Sequence, residues 1–348
     1  MKITLGEVGT YINGYAFKPS DWGTSGLPII RIQNLTNQNT EPNYFDGPYN
    51  SKFEVNKGDI LIAWSGSLGI HIWQKNKALL NQHIFRVEFN KCDIDKMYFY
   101  YAVKYNIHKM LHLTHGATMR HIIKSDFEQI IIPYPSLEAQ AKISKVLNYL
   151  DQNIINYRNI LINLELLIKS RFVEMFGDPN ASRTKYKLVP IHMVTGCMVP
   201  GRDKPKSFTG EIPWITINDL NINGYTNKSK LGLGLTIDEV KEVNRKCVPQ
   251  GSVLMSCVGN LGLCSIASVD LVINQQLHSY QCNELINNLY LMYYLSFKNA
   301  YMNKVASSTT VLYMNKNACN NIPVLLPPIE LQISFAKYLN QINKLKFA

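Results

Sequence analysis

The stretch FEVNKGDILIAWSGSLGIHIWQKNKALLNQHIF, residues 53–85, returns in altered form as KCVPQGSVLMSCVGNLGLCSIASVDLVINQQLHSY, residues 246–280. Six of the positions that carry the same residue in both stretches, at a constant offset of 193, are the most informative. They pair Gly58, Gly66, Leu68, Gly69, Asn81 and Gln82 with Gly251, Gly259, Leu261, Gly262, Asn274 and Gln275. Self-similarity at a fixed offset indicates a repeated structural unit. The chain is therefore predicted to be a tandem duplication.

The similarity extends to both sides of these stretches. Upstream, LPIIRIQNL from Leu27 matches IPWITINDL from Ile212; downstream, IIIPYPSLEAQAKISKVLNYLD from Ile130 matches IPVLLPPIELQISFAKYLNQIN from Ile322. Apolar, β-branched runs such as GDILIAWSG predict strands, and the helical periodicity that follows Asp95 predicts a helix. The predicted fold class is α+β: two tandem-duplicated mixed α/β domains joined by a long heptad-repeat helix, with a second, truncated helix at the C-terminus.

The segment between the two copies is predicted to form one long helix. Residues 136–176 contain neither proline nor glycine, and Gly177 provides a stop. About 40 residues at 1.5 Å each predict a helix of roughly 60 Å. Its apolar residues recur at alternating spacings of four and three, as in a coiled-coil seam. An amphipathic helix packed on its own domain is the alternative. The seam consists of Ile143, Leu147, Leu150, Ile154, Tyr157, Leu161, Leu164 and Ile168.

The composition is that of a globular, basic protein. Hydrophobic residues make up 46% of the chain, and the net charge of +11 favours polyanionic partners, nucleic acid first. Residues 1–135 hold 14 basic and 11 acidic side chains, residues 136–178 hold five of each, and residues 179–327 hold 14 and 8. Seven cysteines without a CxxC pair argue against a disulfide framework or a zinc finger. No segment suits a signal peptide or a membrane span, so we expect a cytoplasmic protein without a membrane partner.

The order and duplication of these segments resemble the specificity (S) subunit of type I restriction–modification systems. The resemblance rests on VNKGDILIAWSGSLG, HGATMRHIIKSDFEQIIIPYPSLEAQAKISKVLNYLD and LELLIKSRFVEMFGDP in the first half. In the second half it rests on PQGSVLMSCVGNLG, STTVLYMNKNACNNIPVLLPPIELQ and ISFAKYLNQI, so it covers essentially the whole chain. It implies target recognition domains over 1–135 and 178–327, a central spacer helix over 136–177 and a truncated second spacer helix over 328–348.

The same resemblance implies a function and a set of partners. Each recognition domain would read one half of a bipartite site in double-stranded DNA. The helices would dock two modification (methyltransferase) subunits and, through them, restriction subunits. The chain itself would have no catalytic residues, metal or cofactor, because S-adenosylmethionine, ATP and Mg²⁺ would belong to the partner subunits. The second helix is about half as long as the first, so a truncated or phase-variable subunit without full activity is an alternative.

Polar and basic loop residues are the candidates for DNA contact, because phosphates attract cations and base edges bond to amide, hydroxyl or guanidinium groups. Lys124 and Lys316 align between the copies, which suits a phosphate contact, whereas their divergent neighbours suit base reading. The identical Asn81-Gln82 and Asn274-Gln275 favour a role in the fold over one in base reading. Ordinary solvated loops remain an alternative for each residue. The candidates are Thr118, Arg120, His121, Lys124, Ser65, Ser67, Gln33, Thr310, Tyr313, Asn315, Lys316, Asn260, Arg202 and Lys204.

Two other classes of function compete with DNA recognition. A hydrolase that pairs His278 with Cys282 is one, although the sequence contains no GxxxxGK[ST], NPP[FY], GxSxG or HExxH motif. A structural coiled-coil assembly protein is the other, but it leaves two basic domains unexplained. The short second helix further predicts that the seam from Leu161 to Met175 stays uncovered. Self-association through the central helix, or cover by the modification partner, would then be expected there.

Overall fold

The computed structural model describes residues 1–37, 39–111, 121–181, 183–201, 203–308 and 311–346. The chain divides into two compact units, Met1–Tyr157 and Arg158–Ala348. The division falls inside a long helix, so this helix contributes residues to both units. Among the residues described, no helix is long and apolar enough to cross a membrane.

The first unit is a mixed α/β structure. Its strands are β1 (Lys2–Thr4), β2 (Thr10–Asn13), β3 (Leu27–Ile30), β4 (Asn43–Phe45), β5 (Glu54–Val55), β6 (Ile60–Ala63), β7 (Gly69–Ile72), β8 (Ala78–Leu80), β9 (Ile84–Glu88) and β10 (Ile131–Pro133). Its helices are α1 (Leu5–Val8), α2 (Ile32–Thr36), α3 (Lys96–Leu111), α4 (Lys124–Glu128) and the first part of α5 (Leu137–Phe176). Two four-stranded sheets have the orders β2-β9-β6-β7 and β4-β3-β8-β5, and β1 pairs with β10.

The second unit repeats this plan with additions. Its strands are β11 (Leu188–Pro190), β12 (Thr195–Met198), β13 (Ile212–Ile215), β14 (Tyr225–Thr226), β15 (Gly234–Leu235), β16 (Val253–Ser256), β17 (Cys264–Ala267), β18 (Val272–Ile273), β19 (Leu277–Cys282), β20 (Ser307–Ser308), β21 (Leu312–Tyr313) and β22 (Pro323–Leu325). Its further helices are α6 (Ile237–Glu242), α7 (Asn288–Ser296), α8 (Asn299–Val305), α9 (Lys316–Asn320) and α10 (Ile329–Lys346). The sheet orders are β12-β19-β16-β17-β14, β15-β13-β18, β11-β22 and β20-β21.

Each unit is built around one strand that is buried on both faces. In β6, Ile60 and Ile62 pack into the cluster that contains Phe99 of α3, whereas Leu61 packs on the opposite face with Leu80. Successive side chains of a strand point to opposite faces of the sheet. A strand buried on both faces therefore needs a continuous apolar run rather than an alternating one.

The strand β16 plays the same part in the second unit. Val253 and Met255 join the cluster that contains Tyr290 of α7, and Leu254 joins the cluster of Ile215 on the other face. Both units also contain a parallel pair at the corresponding place, β3 with β8 and β13 with β18, and the second unit has a further parallel pair, β14 with β17. The predicted α+β class, the duplication and the long central helix are thus confirmed. The domain boundaries at residues 135, 177 and 327 stay predictions.

The first and last strands of each unit pair with each other. Lys2 lies opposite Pro133 in the antiparallel pair of β1 with β10, and Leu188 lies opposite Leu325 in that of β11 with β22. The prolines that follow the predicted end strands mark the points at which the chain leaves these pairs. Each unit therefore begins and ends at the same place in its own fold, next to the start of a long helix.

A buried glutamine ties the start of α5 to the first unit. Gln140 is 0% exposed. Its amide donates to the carbonyl of Pro135 at 2.9 Å and accepts from the backbone N–H of Asp95 at 2.9 Å. The side chain thereby bonds to a backbone carbonyl in the loop before α5 and to a backbone N–H in the loop before α3. We call this arrangement the glutamine clamp.

The second unit contains the same glutamine clamp at the start of α10. Gln332 is 0% exposed. It donates to the carbonyls of Pro327 and Leu285, at 2.8 and 3.1 Å, and accepts from the N–H of Asn287 at 2.9 Å. The Glu-x-Gln motif that the sequence shares between the copies is therefore a structural motif.

The seam of α5 is exposed near its middle and buried near its C-terminal end. Ile168 is 1% exposed, and Leu164 packs against the same core of the second unit. Leu147 is half-buried. The exposed members, between 40% and 68% accessible, are Ile143, Leu150, Ile154, Tyr157 and Leu161. The seam from Leu161 to Met175 was predicted to stay uncovered. This prediction is wrong from Ile168 onward, where the seam is buried in the second unit.

An aromatic cluster covers the C-terminal end of α5. The ring of Phe335 in α10 lies 5.3 Å from that of Phe172 and 5.6 Å from that of Phe176, between centroids, and Tyr290 of α7 stacks on Phe172 at 5.7 Å. Because α10 starts beside the end of α5, even a short α10 covers this end first. Self-association was predicted through the distal half of the helix, from Leu161 to Met175. Ile168 and Phe172 are buried within the second unit and are not available for it, whereas Leu161 is 43% exposed.

Candidate nucleic-acid interface

In the first unit, the loop after β6 and the segment before α4 lie side by side. Ser65 and His121 pair as an antiparallel β-bridge, and Ile122 N donates to Trp64 O at 3.0 Å. The sequence predicted these two segments as separate candidates for DNA contact. The fold brings them together into one loop pair.

The second unit forms the equivalent loop pair. Val258 bridges Tyr313, Gly259 N donates to Leu312 O at 2.9 Å, and Met314 N donates to the carbonyl of the residue before Val258 at 2.9 Å. The same backbone arrangement thus carries different side chains in the two units. This is what two domains that read different sequences would require.

Glycine occupies the turn of each loop pair because of its backbone conformation. Gly66 has φ +65° and Gly259 has φ +71°, in the left-handed region that most residues avoid. No atom lies within 4 Å of a Cβ placed at either glycine. The turn is therefore open to solvent. Both copies have glycine at this position because the backbone conformation requires it, not because space is lacking.

The side chains of the loop pairs differ in their access to solvent. Ser67 and Asn260 are exposed, and Tyr313 is 44% exposed. Ser65 was predicted as a candidate for direct DNA contact, but it is only 2% exposed. Its side chain therefore supports the loop from inside. Asn315 accepts a bond from Ala318 N at 2.9 Å and caps α9, which occupies its side-chain oxygen.

The remaining candidates are distributed over other elements. Gln33 is exposed on α2, His121 is half-buried, and Lys204 lies in the second unit beside a cavity that Trp214 also lines. Four further candidates lie outside the described residues: Thr118, Arg120, Arg202 and Thr310.

The two aligned lysines have different surroundings. Lys124 Nζ donates to Tyr11 O at 3.0 Å and lies 3.7 Å from a carboxylate oxygen of Glu128. Lys316 is exposed at the start of α9 and lines a cleft of the second unit. Among the residues that the structure describes, Lys316 forms no ion pair, so it is better placed for the predicted phosphate contact than Lys124, which is already engaged.

The identical asparagines serve the fold, as favoured from the sequence. Asn274 Oδ1 accepts from Gln276 N at 3.0 Å and its Nδ2 donates to Gln276 Oε1 at 2.9 Å, which closes the turn between β18 and β19. Asn81 is 8% exposed in the corresponding turn.

The electrostatics of His278 and Cys282 oppose a hydrolase. Burial lowers the pKa of His278 to about 4 and raises the pKa of Cys282 to about 12. An activated Cys/His pair requires a thiol whose pKa is lowered and an imidazole that can take its proton. The two residues also lie four positions apart in β19, roughly 13 Å at 3.3 Å per residue. The pair does not form a nucleophilic site.

Most of the chain matches one protein family. The family described as "Type I restriction modification DNA specificity domain" matches residues 1–166 and 196–348. This chain belongs to that family. The two matched ranges correspond to the two copies of the repeat.

Relatives and solved structures agree with this assignment. The type I restriction enzyme EcoBI specificity subunit of Escherichia coli is 28% identical over 152 residues, 43% of this chain and 32% of that protein. The putative MjaX specificity subunit of Methanocaldococcus jannaschii is 23% identical over 346 residues, 92% of this chain and 81% of that protein. The match to EcoBI thus spans about a third of that subunit's length.

Among solved structures, the type I restriction–modification S subunit from M. genitalium has a TM-score of 0.61 at 14% identity, covering 99% of this chain and 91% of that one. A chain from a study of complex assembly and conformational transition of the type I R–M system has a TM-score of 0.55 at 17% identity, covering 99% and 90%. These similarities show that the fold is shared.

In this specificity-family chain, sequence reasoning missed one buried cation. Arg245 is 8% exposed, and its guanidinium lies 5.4 Å from the ring centroid of Trp214. It donates to Asp203 O at 2.6 Å and to Ile273 O at 3.4 Å. In the sequence, Arg245 stands among polar residues and reads as part of a solvated loop, so no local signal indicated its burial.

Proposed function

We propose that this chain recognises a bipartite DNA sequence for a type I restriction–modification complex, with each unit reading one half of the site. The observation that carries the proposal is the duplicated loop pair. It places exposed side chains, such as Ser67 in one unit and Asn260 and Tyr313 in the other, on the same backbone arrangement. Loops that keep their backbone and change their side chains are suited to reading different bases.

The proposal assigns the chemistry to partner subunits. Two modification subunits would dock on the chain, and restriction subunits through them, bringing S-adenosylmethionine, ATP and Mg²⁺. The exposed apolar side chains of α5 support such docking, because large apolar residues gain about 1.5–3 kcal/mol each when a partner buries them. Ile154 and Tyr157, at 49% and 68% exposure, are two of them. A second copy of the chain is the competing occupant of this surface.

The experiment exchanges one recognition domain in the assembled complex. The chain is co-purified with its modification subunit, residues 1–135 are replaced by the first domain of another family member, and methylated DNA is sequenced. We expect one half of the methylated site to change while the other half is retained. A change in both halves would contradict independent reading, and failure to co-purify would contradict the docking of a methyltransferase.

A further inference from the structure

A cleft of about 300 Å³ in the second unit gathers basic side chains from separate segments. It is lined by residues 197–201 at the end of β12 and beyond it, residues 244–246 after α6, Val248, Ile273, and Lys316 at the start of α9. In the described part of the chain, the lining contains three cations, from Arg245, Lys246 and Lys316, and no carboxylate. We call this the basic cleft.

Arg245 lines both the basic cleft and the cavity that Trp214 lines, and backbone carbonyls hold its guanidinium in place. At 8% exposure it retains bonds to Asp203 O and Ile273 O, yet its Nε is buried without a partner. A buried cation that lacks part of its hydrogen bonding is costly unless a charge completes it. Burial lowers the pKa of Arg245, and the charge of Asp203 opposes this change only in part. The site is therefore suited to an anion.

The two lysines of the basic cleft are free to meet that anion. Lys246 and Lys316 are both exposed. Across the described ranges, neither forms an ion pair, whereas Lys206 nearby pairs with Glu242 at 3.2 Å. Three cations around one concave surface match the phosphodiester backbone of a nucleic acid better than a single base edge.

In the described part of the first unit, the residues that align with Arg245 and Lys316 have different surroundings. Lys124, aligned with Lys316, donates to Tyr11 O and faces Glu128 at 3.7 Å. The offset of 193 aligns Arg245 with Lys52, which is exposed and lies over the ring of Phe53 at 4.8 Å. These two aligned lysines are thus engaged with a carbonyl, a carboxylate and an aromatic ring of their own unit.

A cavity of the first unit has a different chemistry. It measures about 420 Å³ and is lined by aromatic side chains together with one carboxylate, that of Asp21. Its aromatic lining consists of Tyr15, Phe17, Phe45, Tyr49 and Phe53. A carboxylate on the wall disfavours a phosphate. This difference between the two cavities agrees with the net positive charge of the two copies, which is larger in the second copy.

We infer that the basic cleft of the second unit binds backbone phosphates of duplex DNA and supplies most of the salt-dependent affinity of the chain, while the first unit contributes mainly base contacts. This inference rests on the proposed function, because it assumes that the chain binds DNA. It adds an unequal division of labour between two similar domains: the second anchors the complex, and the first discriminates.

The test compares matched double variants of the full chain. Binding to a 30-bp duplex without a recognition site is measured by fluorescence anisotropy between 50 and 200 mM KCl. Lys246→Ala with Lys316→Ala should reduce the slope of log affinity against log salt by about two, at roughly 0.9 per lost phosphate contact. The matched control in the first unit, Lys52→Ala with Lys124→Ala, should reduce the slope by less than half as much.

The outcomes separate the inference from the proposed function. Equal reductions in both double variants, or an unchanged slope in the second-unit variant, would overturn the unequal division while leaving DNA recognition intact. A wild-type chain that binds no duplex at any salt concentration would overturn the proposed function itself. Arg245→Gln should weaken binding further, and the exposed lysine pair decides the question should that buried variant fail to fold.

Discussion

The two units keep the same hydrogen bonds where the backbone needs a partner and differ where side chains face outward. The glutamine clamp is present in both, through Gln140 and Gln332. A second shared bond caps the helical turn that follows β3 in the first unit and β13 in the second. Asn34 and Asp219 each accept from the backbone N–H three residues earlier, at 3.0 and 2.8 Å. The shared hydrogen bonds determine the common fold, and the charged side chains on the surface distinguish the two units.

The largest expected effect is loss of the glutamine clamp. Gln140→Leu and Gln332→Leu should each cost about 3 kcal/mol or more, because two or three buried backbone groups lose their partners. The corresponding fall in melting temperature is roughly 6–12 °C for a unit of this size, measured by calorimetry. Gln152→Leu, at an exposed position of α5, is the control and should change stability by less than about 0.5 kcal/mol.

An asymmetric result would break the comparison between the units. If Gln332→Leu destabilised the chain and Gln140→Leu behaved like the exposed control, the clamp would be important in one copy only. The motif would then be a relic of duplication in the first unit.

An intermediate effect is expected at the turns of the two loop pairs. Gly66→Ala and Gly259→Ala should each cost about 1–2 kcal/mol, since alanine resists a positive φ although space is open around both sites. Gly201→Ala, also in open space but without a positive φ, should be nearly neutral by urea unfolding. Asparagine tolerates the left-handed region, so Gly66→Asn should recover part of the loss. No recovery would point to contacts of the loop instead of its backbone.

The smallest expected effect is a sensitivity to acid that arises from two hydrogen-bonded carboxylates of the second unit. Burial opposes ionisation of Asp219, but hydrogen bonds from Lys230 N and from Thr216 lower its pKa overall. Hydrogen bonds, from Ser207 first, lower the pKa of Glu239 to about 2. A carboxylate whose pKa is lower in the folded than in the unfolded chain stabilises the fold at any pH above the ordinary carboxyl pKa of about 4. This stabilisation is lost as the pH falls from about 4 toward 2, because the folded carboxylates then become protonated.

Asp219→Asn tests this difference by giving the second unit the cap of the first. Thermal unfolding of the variant between pH 5 and 2.5 should depend less on pH than that of the wild type, and Glu239→Gln should act in the same direction. An unchanged pH profile in the double variant would show that other carboxylates control acid unfolding.

The sequence was sufficient for the features that repeat. The offset of 193 located the central strands β6 and β16, and the absence of proline and glycine predicted α5 to within one residue at each end of 136–177. These features depend on local pattern and on comparison within the chain. The role of Gln140 and Gln332 was visible as identity but not as chemistry, because their partners lie about 45 residues away.

Features that depend on packing between distant elements could not be predicted. The cover over Phe172 depends on where α10 starts relative to α5, which no periodicity encodes. The burial of Arg245 depends on Trp214 and on two carbonyls from other segments. The candidate loops were found from composition, but only the fold paired Ser65 with His121 and turned Ser65 inward.

The pairing of first and last strands has a consequence for synthesis and folding order. In each unit the partners are about 130 residues apart, so the closing pair forms only when the whole unit has emerged from the ribosome. Such long-range pairing is slow, and the similar end strands β10 and β22 compete in principle for the same partner, β1. Vectorial synthesis separates these competitors in time: β10 is available about 190 residues before β22, with the whole of α5 between them. The order of translation thus protects a duplicated chain from exchanging strands between its own copies.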